Sequence, residues 1–376
     1  SVKLSQHSYG FGYYYISDKE HPKETEAEKF EALCFPCYDM SNNIPPTSSQ
    51  NTSSGNALSL FPETYTSVAL PRFSMIISSD PQFFWSPYYE KENNYNKSQK
   101  QERAIKTFDH FAQSVNAHNQ MLNNRIKGVI INGDITRNGN WPHFAQIDRS
   151  FSKVKLPLYW GLGNHDVQNP AEAYKWMYNK LIPNHGVQVD LEKSLTNFYW
   201  DGTDSDQYDQ ISSYSGSLSY TWTESGVRFI QLQFHPEYEI LPGILSPKWI
   251  ENNVRYDLKV KNSITWLSSV LMVAQLKGEK VIINMHVPPA DRHIEKEFGQ
   301  IVRTFQNEIL AIFAGHLHYN DCRLPDFNSV PVFVSGAIFN NNYYLLSFYD
   351  NAFGVNKCYS ANGKVNISGE RWIIPY

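Results

Sequence analysis

The sequence predicts an α/β fold of stacked sheet and helix layers. Three observations predict it: strand-like runs alternate with helical stretches from about residue 61 onward, each run is short and rich in β-branched or aromatic residues, and each ends in a tight polar turn.

In chain order, residues 1–40 hold the aromatic runs GFGYYYIS and KFEALCFPCYDM around the charged stretch HPKETEAEK, which reads as a small β-rich unit. Residues 42–59, NNIPPTSSQNTSSGNALS, have the composition of a linker. The boundary therefore divides an N-terminal unit with its linker, residues 1–60, from a main domain, residues 61–376. RFSMIISS is a buried strand, and a helix is expected from about Lys100 to Asn123. KGVIIN, LPLYWGL, EKVIIN and EILAIFA repeat the strand signal. The turns that follow these runs, ISSDPQ, INGDITRNG, GLGNHD, INMHVPP and FAGHLH, each place Asp, Asn or His just after a strand, where open α/β sheets collect ligands.

The chain of 376 residues is long enough to bury a full core, so a metal site in it serves chemistry rather than folding. With 41% apolar and 19% charged residues and a formal net charge of −4, it is neither a disordered chain nor a nucleic-acid binder by bulk charge. The 24 Tyr and 22 Phe are read as core and sheet surface. No run of 18 apolar residues marks a membrane span. The chain starts without Met and without a leader-like segment; Asn51, Asn96 and Asn366 stand in Asn-x-Ser/Thr sites, which fit a secreted or extracytoplasmic setting but which a chain rich in Asn and Ser also yields by accident, so the compartment stays open. Cys34, Cys37, Cys322 and Cys358 leave three pairings open, and CFPC is read as a disulfide or inert thiols.

The strand-end turns offer Asp80, Gln82, Asp134, Asn164, His165, Asp166, His286, His316 and His318, oxygen and imidazole donors that suit Mn, Fe or Zn. Taken singly, each is an ordinary turn residue. Asp134 has the two oxygens that a bridge between paired ions needs. His235 and His143 are read as loop or packing residues, and Asp166 as a support for its loop.

GD-x-x-x-x-G, GNHD, a His before a Pro-rich turn, and GH-x-H, in that order, resemble the calcineurin-like metallophosphoesterases from about Arg72 to Asp350. The resemblance implies a four-layer αββα sandwich of two mixed sheets flanked by helices. It implies two divalent metal ions, one held by Asp80, Gln82, Asp134 and His318, the other by Asp134, Asn164, His286 and His316. It further implies hydrolysis of a phosphate ester by a hydroxide between the metals, with His165 as acid or transition-state donor and Asn164 near a phosphate oxygen. The first motif departs from the usual Asp-x-His, because Asp80-Pro81-Gln82 puts an amide oxygen where an imidazole is common, which weakens Zn binding and favours Mn there. Arg137 and Asn138 also depart from the phosphoprotein-phosphatase form of the second motif. From HVPPA to FAGHLHYND the chain is similar to acid-sphingomyelinase-like phosphodiesterases.

The expected partner is thus a phosphorylated small molecule, a lipid headgroup or a phosphoprotein. A catalytically silent binding protein with the same fold is the rival class, and Gln82 is the residue that favours it. A secreted toxin or effector whose N-terminal unit binds a host surface is a third.

Overall fold

The computed structural model describes residues 70–84, 95–181, 196–208, 210–240, 246–289, 296–318 and 322–376. The expected N-terminal β unit, the linker and the CFPC pair lie outside the described residues.

A six-stranded sheet is built from β1 (Phe73–Ser78), β2 (Ile126–Ile131), β3 (Leu158–Trp160), β15 (Asn342–Phe348), β16 (Ala352–Ala361) and β17 (Lys364–Pro375), in the order β17-β16-β15-β1-β2-β3. β1, β2 and β3 run parallel, while β15 pairs antiparallel with β1. A seven-stranded sheet contains β4 (Thr196–Trp200), β7 (Tyr220–Glu224), β8 (Val227–Gln231), β11 (Lys280–Asn284), β12 (Ile309–Ala314), β13 (Cys322–Phe327) and β14 (Val330–Val334), in the order β13-β14-β12-β11-β8-β7-β4. Both sheets are mixed, as the resemblance implies.

The central strands read as continuous apolar runs because both of their faces are covered. In β11, Ile282 joins the core between the sheets, while Val281 and Ile283 face the opposite side. That opposite side is covered by Leu267, Val270, Leu271 and Ala274 of α4 (Ile264–Lys277) and by Phe298 and Val302 of α5 (Lys296–Thr304). Between the sheets, Tyr159 stacks on Trp222 at 4.1 Å and Phe73 meets Phe229 edge-on at 6.4 Å. Such pairs add about 0.5–1.5 kcal/mol each beyond burial. On the far side of the six-stranded sheet lie α1 (Lys97–Met121), α2 (Trp141–Phe151) and α3 (Pro170–Leu181), anchored by Phe108, Phe111, Phe144 and Trp176. Helix, sheet, sheet and helix make four layers.

Two differences from the sequence reading have physical causes. α1 starts at Lys97 rather than near Lys100, because Asn96 and Gln99 form a capping box with hydrogen bonds of 2.9 and 3.0 Å. A third sheet, β5-β6-β10-β9, was not expected; it comprises β5 (Thr203–Tyr208), β6 (Ile211–Gly216), β9 (Lys248–Glu251) and β10 (Val254–Val260). Tyr178 of α3 packs its ring against Tyr214, Trp249 and Tyr256 of this sheet at 4.9, 5.5 and 5.8 Å. Its strands TDSDQY and VRYDLKV are charged, so they lack the buried-run signal that marks the main sheets.

Candidate metal centre

The loops after β1, β2, β3, β11 and β12 meet at one rim. Two groups of donor atoms form there, Asp134 with His286 and His316, and Asp80 with Asp134 and His318, the atoms of each group lying within 4.8 Å of one another. Asp134 belongs to both.

Backbone bonding fixes this convergence. The Asp80 amide donates to the Gly133 carbonyl at 3.0 Å, Gln82 to Asp134 at 2.9 Å and Phe83 to Ile135 at 3.1 Å, so the first two loops are zipped together. Asp80, Gln82, Asp134 and His316 have φ of +49°, +43°, +49° and +69°. Left-handed backbone at non-glycine residues costs of order 1–3 kcal/mol each and persists only where its surroundings over-determine it. Glycine before three of the donors permits the close approach: a Cβ at Gly163 would strike the Asp134 carboxylate, and one at Gly315 would lie 2.7 Å from Asp80 Oδ2.

Asp134 Oδ1 accepts the His165 amide at 2.8 Å, which leaves Oδ2, 3.2 Å from His286 Nε2, with no hydrogen-bond donor. Burial alone would raise the Asp134 pKa, but the imidazoles of His286, His165 and His316 outweigh it and hold the carboxylate well below its usual range. His286 Nδ1 donates to the Asn132 carbonyl at 2.7 Å, so the lone pair of the neutral ring is on Nε2, facing Asn164 Oδ1 at 2.9 Å. Burial would lower the His286 pKa; Asp134 and Asp80 raise it to about 9 instead. His316 Nδ1 lies 3.0 Å from the same Asn164 oxygen, and burial followed by His286 lowers its pKa to about 3. Acceptor atoms that face one another in a buried site require a cation between them, a proton or a metal ion.

In the other group, Asp80 Oδ2 accepts the His316 amide at 3.0 Å, and Oδ1 lies 3.2 Å from His318 Nε2. Gln82 is fully buried, yet neither its Oε1 nor its Nε2 has a hydrogen-bond partner. An unsatisfied buried amide costs about 1–3 kcal/mol, which ligation by its oxygen would offset. The donor set, carboxylate, amide oxygen and imidazole, fits a divalent ion of the Mn, Fe or Zn type.

His165 stands beside this centre, its Nδ1–H donating to the Arg137 carbonyl at 2.8 Å. Asp166 accepts from the Ile135, Thr136 and Gly163 amides at 2.9, 2.8 and 3.0 Å and from the Thr136 hydroxyl at 2.9 Å. It clamps the loops together, and burial, with Asp134 nearby, raises its pKa to about 7. His235 packs between Phe234 and Tyr238, at 4.6 and 5.8 Å, and His143 meets Phe83 and Phe84 at 5.6 and 5.3 Å. Sequence reasoning missed the carbonyls of Asn132 and Arg137, because a backbone acceptor leaves no trace in residue identity.

The model of the family described as calcineurin-like phosphoesterase matches residues 76–320. A curated relative, sphingomyelin phosphodiesterase 2 of Caenorhabditis elegans, is 25% identical over 210 residues, which are 51% of this chain and 31% of that protein. The match thus spans less than a third of that relative's length. Among solved structures, a dimetal phosphatase from Danio rerio aligns over 81% of this chain and 99% of that one, with 15% identity and a TM-score of 0.46. The sulfate thiohydrolase SoxB of Thermus thermophilus aligns over 83% and 58%, with 9% identity and a TM-score of 0.42.

Proposed function

This chain belongs to the calcineurin-like phosphoesterase family, hydrolases of phosphate esters that depend on divalent metal ions, and from that premise we propose that its centre is dinuclear and hydrolyses its ester with His165 as proton donor. One ion is assigned to Asp80, Gln82, Asp134 and His318, and the other to Asp134, Asn164, His286 and His316. The observation that carries the reading is the pair of donor groups sharing Asp134, lined by the carboxylate atoms Asp80 Oδ1 and Asp134 Oδ2, both buried without a hydrogen bond.

When bound, divalent ions supply charge neutralisation at the phosphoryl oxygens and a more acidic water. The chain does the rest. Asp134 sets the spacing of the two donor groups, its Oδ1 fixed by the His165 amide. The Asn132 carbonyl holds the His286 ring so that Nε2 faces inward. The Arg137 carbonyl does the same for His165, keeping a proton on Nδ1 and making Nε2 the atom that hands a proton to the leaving oxygen. Asn164, with its oxygen between His286 and His316, orients the second group and places its amide near the phosphoryl oxygens.

Turnover of p-nitrophenyl phosphate and bis-p-nitrophenyl phosphate by the Mn- or Zn-loaded protein tests the reading and separates monoester from diester preference. The relative's printed activity makes diesters the first class to try. Binding of metal without turnover of either ester would favour the silent binding protein.

A further inference from the structure

Eight other arginine side chains among the described residues each meet a carboxylate, a carbonyl or amide oxygen, or a tyrosine ring. The Arg137 guanidinium has no such partner among them, although the residue is half-buried. Its peptide is pinned at both ends: the amide donates to the Phe83 carbonyl at 3.0 Å and the carbonyl accepts from His165 Nδ1 at 2.8 Å. The Arg137 side chain therefore springs from backbone fixed between the Gln82 loop and the proton donor. A second cation stands close by, Lys97, whose Nζ lies 5.8 Å from the centre of the Phe84 ring. The His143 ring abuts Phe84 at 5.3 Å, and after burial the charges of Lys97 and Arg137 are what lower its pKa. Two like charges held near one ring repel each other, and an anion relieves that repulsion. A planar guanidinium suits a carboxylate or phosphate because it donates two parallel hydrogen bonds.

We propose that Arg137, assisted by Lys97, binds a second negative charge on the substrate beyond the scissile phosphate, so that esters of anionic alcohols are preferred over esters of cationic ones. The inference rests on the centre being a phosphoesterase site. It makes Arg137 a determinant of specificity through its side chain, distinct from the role of its carbonyl in holding His165. Phosphocholine, with its quaternary ammonium, meets the wrong charge at this flank.

The test is calorimetric binding of 3-phosphoglycerate, glycerol 3-phosphate and phosphocholine to the Mn-saturated full chain, the first two differing by one carboxylate. Wild type should bind 3-phosphoglycerate about tenfold tighter than glycerol 3-phosphate, the scale of a charge-assisted bidentate contact partly open to solvent. Arg137→Gln should bring that ratio close to one, and Arg137→Lys should restore part of it. Lys97→Gln, on the exposed first turn of α1, should lower the ratio less and guards against misfolding of the Arg137 variants. A wild-type ratio near one, or the same ratio in wild type and Arg137→Gln, overturns the inference. If the ratio behaves as expected but no ester is turned over, the charge site stands and the hydrolytic reading of the centre is what fails.

Discussion

His118 and His286 are both buried imidazoles, and their surroundings drive them in opposite directions. His118, on α1, has its Nδ1 3.2 Å from the Tyr343 hydroxyl, which lies 3.3 Å from Ser114 Oγ. No carboxylate enters that pocket as a cause of its shift, and burial alone takes its pKa down to about 4. His286 has two carboxylates near it and is taken up to about 9. The first environment leaves no buried side-chain polar atom of Ser114, His118 or Tyr343 unsatisfied, whereas the second leaves atoms of Asp80, Gln82 and Asp134 without donors. A buried histidine among hydroxyls is a packing element. A buried histidine among acceptors that face one another marks a place for a cation.

The substitution that should break this contrast most completely is Asp134→Asn, because it removes the carboxylate common to both donor groups and neutralises the main charge acting on His286. Phosphatase activity should fall below detection while the circular dichroism spectrum stays that of wild type. His165→Ala should come next, with losses of about 10² to 10⁴ for alkyl phosphates and much less for p-nitrophenyl phosphate, whose leaving group needs no proton. Equal losses on both substrates would remove His165 from the acid role.

Gln82→His sharpens the comparison from the other side, by placing an imidazole where the unsatisfied amide now stands. Zn affinity relative to Mn should rise about tenfold, or ~1.4 kcal/mol, on replacing an amide oxygen with a softer donor. Competitive titration of wild type and variant with the two metals reads it, and an unchanged ratio would withdraw Gln82 as a ligand. A separate effect, on stability rather than on metal or activity, concerns His118, whose pKa is 6.5 when exposed and about 4 when folded. Between these values the unfolded chain takes up the proton first, so the stabilisation is complete above the upper value and declines as pH falls toward the lower one, by ~3 kcal/mol in all. His118→Gln should flatten the fall of the thermal midpoint over that range. His235, also taken to about 4 by burial, should keep part of the slope.

The sequence made the main sheets legible because strands covered on both faces are unbroken apolar runs, as in FSMIIS and ILAIFA. The polar turns were legible for a related reason: a run that stops at Asp80, Asp134 or His316 stops where the chain leaves the core. The third sheet was not legible, since its strands mix polar and charged residues with a few aromatic ones that pack on Tyr178, a contact set by tertiary structure. At the rim, the zipper that joins the Asp80 and Asp134 loops is made of backbone amides and carbonyls, which every residue carries. Residue type therefore named the donors and the resemblance put Asp134 in both sets, but the backbone contacts that bring them to one rim are not written in residue identity.

Metal stoichiometry decides whether the centre is dinuclear. Purified protein, dialysed to equilibrium against saturating Mn or Zn and analysed for bound metal, should hold two ions per chain, and the Asp134→Asn variant fewer. One ion or none in folded wild-type protein at saturation would contradict the dinuclear assignment.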